Sequence, residues 1–192
     1  MSKPTILAFS GSLRAESFNQ SLVQVAARGA ENAGAEVTVI SLRDYPLPLF
    51  DEDLESAKGL PENALKLKAL FERADGLLIA SPEYNSSLTA ALKNAVDWVS
   101  RPASKDEGAL ASLAGKYAGI MAASPGGLGG LRGLVHLRAI LSNIAITVLP
   151  DQHAVSSAHE VIKDGTLSDE RQRKKVEGIG AKLAETLAKL AD

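Results

Sequence analysis

The 192-residue chain carries 45% hydrophobic and 23% charged residues, enough for one globular domain with a full core. A formal net charge of −2 supplies no long-range field for nucleic acid or an anionic membrane, so neither is an expected partner. There is no cysteine, which excludes disulfides, thiolate metal sites and cysteine nucleophiles, and any redox chemistry must come from a bound cofactor.

In chain order, the first β-prone run, residues 5–9, breaks at Ser10 and is too short for a secretory or spanning segment. A cytoplasmic protein with no membrane span is therefore expected. Leu22, Val25, Ala26 and Gly29 then fall on one helical face. A second run covers 36–40, and a helix opening at Pro61 carries Ala64, Leu67, Phe71 and Ala74. The run at 76–80 precedes a helix marked by Leu88, Leu92, Ala95 and Val99; the run at 117–122 precedes one marked by Leu134, Leu137 and Leu141. A fifth run at 144–148 leads to a last helix with Val176, Ile179, Leu183, Leu187 and Leu190 inside and Ser168 as its N-cap. Segments 43–59 and 150–167 show no period and read as interface or lid elements. Five β-prone runs alternating with five helices predict a doubly wound α/β domain, because parallel strands need crossovers and right-handed crossovers sort the helices to both faces. The expected architecture is a flavodoxin-like three-layer sandwich with sheet order 2-1-3-4-5, and its ligand site lies beyond the carboxyl ends of the strands.

Three loops meet at that edge. The first, Gly11-Ser12-Leu13-Arg14-Ala15-Glu16-Ser17-Phe18-Asn19, runs from a strand into a helix and aims backbone N–H groups and a helix dipole at one spot. Ser10, Ser12, Ser17 and Asn19 are neutral donors and Arg14 is the nearby cation, a set suited to a monoester phosphate held without metal. The loop lacks the Lys-Ser/Thr ending of a P-loop, which argues against triphosphate hydrolysis. The second, Ser81-Pro82-Glu83-Tyr84-Asn85-Ser86-Ser87, offers a flat ring in Tyr84 and a donor-acceptor pair in Asn85 for the edge of a heteroaromatic ring; as a plain turn it would cap the next helix through Ser86 or Ser87. The third, Ser124-Pro125-Gly126-Gly127-Leu128-Gly129-Gly130, lets a planar ligand approach the backbone. It is not a dinucleotide fingerprint, since the third glycine of that pattern falls on Arg132.

Together these segments resemble the NADPH-dependent FMN reductase family of flavodoxin-like proteins, in its chromate and quinone reductase branch. Gly11-Ser12-Leu13-Arg14 with Ser17 and Asn19 is similar to the family's FMN-phosphate loop. Ser81-Pro82-Glu83-Tyr84-Asn85 with Leu92-Lys93-Asn94-Ala95 and Asp97-Trp98 is similar to its second signature, and Ser124-Pro125-Gly126-Gly127 with Gly129-Gly130, Arg132 and Leu137-Arg138 to its third. The resemblance implies that Ser10, Ser12, Leu13, Arg14, Ser17, Phe18 and Asn19 surround the FMN phosphate. It implies that Pro82, Glu83, Tyr84 and Asn85 line the ribityl chain and one ring edge, and that Ser124, Pro125, Gly126 and Gly127 meet the ring from the far side. It also implies a homodimer or homotetramer, for which residues 45–50 and the third helix are the candidate contacts.

The implied activity is a ping-pong cycle in which NADPH or NADH reduces FMN and a small-molecule acceptor, a quinone, an azo compound, chromate or free flavin, then takes the electrons. No protein side chain is assigned a catalytic role, and no metal is expected: His136, His153 and His159 share no ligand spacing. Trp98 reads as a packing residue, Arg101 as a helix C-terminal charge, and the basic run around Lys174 as a solvated face. Three alternatives stay open: an FMN electron carrier, a nucleotide hydrolase or transferase using Glu83 or Asp97, and a nucleotide-sensing or scaffold domain that binds FMN or AMP without catalysis.

Overall fold

The computed structural model describes residues 3–191. Strands β1 (Thr5–Ser10), β2 (Glu36–Ser41), β3 (Gly76–Ala80), β4 (Tyr117–Ala123) and β5 (Thr147–Val155) form one parallel sheet in the order β2-β1-β3-β4-β5. The expected topology and order are found.

Side-chain alternation along the strands feeds two cores. Ile6 and Ala8 of β1 and Leu78 and Ala80 of β3 face helices α1 (Phe18–Asn32) and, at the end of the chain, α7 (Glu170–Leu190). Leu7, Phe9, Leu77 and Ile79 face the opposite layer, built from α3 (Glu62–Arg73), α4 (Ala90–Val99) and α5 (Leu131–Asn143). Between β2 and α3 lie a 3₁₀ turn (Leu42–Asp44) and α2 (Glu52–Lys58); between β5 and α7 lie α6 (Ala158–Val161) and a hairpin of β6 (Ile162–Lys163) with β7 (Thr166–Leu167).

Helices α1 and α7 cross on glycine. A Cβ on Gly29 would overlap the Glu177 carbonyl, and one on Gly180 the Ala26 carbonyl. The backbones therefore approach more closely than any side chain permits.

The structure corrects several boundaries. The fifth strand begins at Thr147, not 144, and continues through Pro150 to Val155. Ile144 instead closes α5, and Ala145 turns the chain at φ 62°. A proline is tolerated because β5 is an edge strand whose register against β4 is irregular between Ala118 and Ile120. The expected N-cap of the last helix moves by one residue: Asp169 accepts the Gln172 N–H at 2.9 Å, while Ser168 Oγ donates to the Val161 carbonyl at 3.0 Å. Neither Ser86 nor Ser87 caps α4. Thr89 does, accepting the Leu92 N–H at 3.1 Å.

Segment 43–59, expected to lack periodic structure, contains α2, and its proline-rich part is strapped onto α4. Asn94 accepts the Phe50 N–H at 2.8 Å and donates to the Pro48 carbonyl at 2.9 Å, and Trp98 Nε1 donates to the same carbonyl at 2.8 Å. The Phe50 and Trp98 rings meet edge to face at 5.0 Å, and the Arg101 guanidinium lies over Phe50 while its Nε bonds Glu55 at 3.0 Å. The two candidate subunit contacts thus pack Phe50 and Trp98 against each other and leave Leu49 exposed. Arg101 is held by Glu55, not by the helix terminus alone.

Candidate flavin site

The three loops converge as expected. A shallow cleft at the carboxyl edge of the sheet is lined by Ser12, Arg14, Ser17, Phe18 and Asn19 from the first loop, Pro82, Glu83 and Tyr84 from the second, and Ala123, Ser124 and Pro125 from the third. Leu13, Asn85, Gly126 and Gly127 stand exposed on the same loops outside its wall, and Ser10 is fully buried beneath it.

The first loop is shaped by its own serines. Ser10 Oγ accepts the Ser12 N–H at 3.1 Å and Ser12 Oγ accepts the Arg14 N–H at 3.2 Å, two successive side-chain turns that carry the chain off the strand. Ser17 then caps α1 by accepting the Gln20 N–H at 3.3 Å. The N–H groups of Phe18 and Asn19, in the first turn, have no carbonyl behind them in the helix and carry its positive end. Arg14 is exposed, its guanidinium 5.8 Å from the centre of the Phe18 ring.

The second loop is a two-residue hairpin turn. Tyr84 and Ser87 exchange N–H···O bonds of 3.0 and 3.1 Å, with Asn85 at φ 51° and Ser86 at φ 66° in the left-handed region. Pro82 is buried beneath it, and Tyr84 stands 54% exposed over the cleft, accessible to a planar ligand.

Buried side chains tie the loops to one another and to the helices that follow them. Thr89 Oγ1 donates to the Gly11 carbonyl at 2.6 Å, joining the first loop to α4. A Cβ on Gly11 would stand 2.9 Å from Leu92 Cβ, so this seating requires glycine. Asn19 Nδ2 donates to the Ala123 carbonyl at 2.8 Å and its Oδ1 accepts the Ala123 N–H at 2.9 Å, joining the first loop to the third. The Glu83 carboxylate accepts from Arg132 Nε at 2.9 Å and from the Gly133 N–H at 3.1 Å, joining the second loop to α5. His136 Nδ1 and Ser87 Oγ, 2.9 Å apart, add a second brace there.

Two side chains differ from the sequence expectation. The Asn19 carboxamide is turned to the Ala123 backbone, which it binds at both ends, while the Asn19 backbone N–H stays at the helix start. Glu83 does not turn its carboxylate to a ring. Burial works to raise its pKa, but the Gly133 N–H and the Arg132 guanidinium outweigh burial and hold it below the ordinary glutamate value. Neither acidic candidate for hydrolytic chemistry is free: Glu83 is paired with Arg132, and Asp97 with Lys93 at 2.6 Å. Thr89 was not singled out in the sequence, although a threonine just before an apolar helical pattern is an N-cap signal.

Hydroxyls, first-turn amides and one arginine facing a cleft walled by a tyrosine and a glycine-rich loop fit a flavin mononucleotide: one terminal phosphate and one flat ring. The fold and this site define a flavodoxin-like flavoenzyme. The family model for NADPH-dependent FMN reductase matches residues 4–160, and the chain belongs to that family. It is 33% identical over 174 residues to an NAD(P)H-dependent FMN reductase of Pseudomonas aeruginosa, covering 90% of this chain and 89% of that one. Over 140 residues it is 38% identical to a quinone reductase of Escherichia coli K12, covering 72% and 70% respectively. The solved structure of the flavoenzyme NAD(P)H:(acceptor) oxidoreductase FerB from Paracoccus denitrificans superposes with a TM-score of 0.80 at 28% identity, covering 97% of this chain and 98% of that one. The protein is an oxidoreductase that uses FMN with NAD(P)H as co-substrate.

Proposed function

We propose that this protein is a single-domain FMN-dependent NAD(P)H oxidoreductase whose acceptors are quinones, with chromate, azo compounds and free flavin as further electron acceptors. The observation that carries the reading is the joint cleft, in which a phosphate-type cradle and an open planar wall belong to loops locked to one another.

The Ser12 and Ser17 hydroxyls, the Phe18 and Asn19 amides and the Arg14 guanidinium hold the phosphate. Pro82, Tyr84 and Asn85 run along the ribityl chain and one ring edge, and Ser124, Pro125, Gly126 and Gly127 meet the ring from the other side. When bound, FMN supplies the two-electron chemistry between nicotinamide and acceptor. The protein's part is retention and orientation. Tyr84 at 54% exposure and Leu128 at 53% leave the rim apolar and open, which suits nicotinamide and a flat acceptor using one face in turn, the arrangement of a ping-pong cycle. A homodimer or homotetramer completes the proposal, with Leu49 among the exposed apolar side chains available to it.

Steady-state oxidation of NADPH with a quinone acceptor tests the reading. Turnover that depends on bound FMN and gives parallel double-reciprocal plots is the expected result. Absence of turnover with FMN fully loaded would instead identify a one-electron carrier.

A further inference from the structure

Asn19 is the second residue of α1 and only 4% exposed. Its carboxamide is turned to Ala123 at both ends: one N–H of the amino group donates to the Ala123 carbonyl at 2.8 Å and the side-chain carbonyl accepts the Ala123 N–H at 2.9 Å. This is a two-point clasp on one residue, made from 104 positions away. Ala123 is the last residue of β4, and its successor is anchored as well. Ser124 N–H donates to the Val155 carbonyl at 3.1 Å, the Ser124 carbonyl accepts the Ala158 N–H at 3.0 Å, and Ser124 Oγ accepts the Gly126 N–H at 3.2 Å. Ala123 leads directly into the 124–127 segment, and the Asn19 clasp adds to the anchors on β5 and α6 a fixed point on the side of the first loop.

We propose that the Asn19 side chain is a positioning group for the ring-facing loop 124–127, and that Asn19 meets the phosphate beside it through its backbone N–H alone. The proposal rests on the FMN reading above. It separates two roles that a position in the phosphate loop would otherwise merge: Arg14 answers to the phosphate, and the Asn19 side chain to the ring.

Riboflavin has the same ring and ribityl chain without the phosphate, so affinities for FMN and riboflavin, measured by fluorescence quenching on the full chain, distinguish the roles. In Asn19→Ala both affinities fall by the same factor, about tenfold or more, as expected for loss of a buried two-point hydrogen bond. Arg14→Ala lowers FMN affinity and leaves riboflavin unchanged. A loss confined to FMN in Asn19→Ala overturns the proposal. Should that variant not fold, Asn19→Asp keeps the acceptor for the Ala123 N–H but loses the donor; its riboflavin affinity, free of any charge effect on a phosphate, must still fall, and an unchanged value again overturns the proposal. A parent protein that binds neither flavin overturns the flavin reading and this proposal with it, whereas an FMN-only loss removes this proposal alone.

Discussion

Glu83 caps a helix that begins 48 residues later: its carboxylate accepts the Gly133 N–H at 3.1 Å while Arg132 bonds its other oxygen. Helix α5 has Gly130 as its N-cap, at φ 94°, and so has no side chain of its own for the task. A Cβ at Gly130 would come within 2.7 Å of Ala122 Cβ, so the position cannot carry the serine or aspartate that usually caps a helix. The cap comes instead from the loop that presents Tyr84, so one loop serves both the helix and the cleft wall.

Glu83→Ala leaves the Gly133 N–H and the Arg132 guanidinium without their acceptor. We expect a loss of about 1–3 kcal/mol in urea denaturation, the usual cost of removing one partner of a shielded hydrogen bond. The pH dependence has a definite sign. Glu83 titrates below its ordinary value of 4.5 in the folded state, so its contribution is fully present above that value and is lost as pH falls through the lowered native one. Glu83→Gln therefore shows less acid destabilisation than the parent as pH falls below the ordinary glutamate value of 4.5. Identical acid profiles would contradict the capping role.

Thr89→Val removes a hydroxyl that both caps α4 and holds the Gly11 carbonyl. Loss of the cap costs about 1 kcal/mol and loss of the buried hydrogen bond about as much again. Thr89→Ser retains both bonds and restores most of the stability. Failure of serine to rescue would place the effect in the methyl group and its packing.

Gly180→Ala is a favourable change for an isolated helix, by about 1 kcal/mol. Here the added methyl overlaps the Ala26 carbonyl across the α1–α7 crossing, and the helices must separate. We expect net destabilisation of about 2–3 kcal/mol, seen as a lower denaturation midpoint with an unchanged slope. A stabilised variant would mean that the helices do not cross this closely.

Arg14→Ala weakens FMN retention by about 1–3 kcal/mol, the range of a charge-assisted contact, with no change in folding stability because the side chain is exposed. Equilibrium dialysis against FMN measures it. Unchanged affinity would place the phosphate elsewhere.

The fold was legible from period and punctuation because it is carried by long apolar runs: β1, β3 and β4 are buried along nearly their whole length and read as continuous apolar segments. β5 is not legible over its full length because an edge strand admits Pro150 and Asp151, which in a sequence look like a break. At the site, the loops and their convergence were legible, since each follows a strand of a doubly wound sheet and such loops meet at the carboxyl edge. The ties were not. Asn19 to Ala123, Thr89 to Gly11 and Glu83 to Gly133 each span tens of residues, and nothing local in the chain distinguishes an asparagine that grips a backbone from one that faces a ligand.

The central claim is that these three loops together form an FMN site worked by NAD(P)H. Purified protein loaded with FMN and titrated anaerobically with NADPH or NADH should lose its yellow absorbance with one equivalent of reductant and recover it when a quinone is added. A protein that binds no FMN, or that holds FMN oxidised against excess of both nicotinamides, would contradict the account.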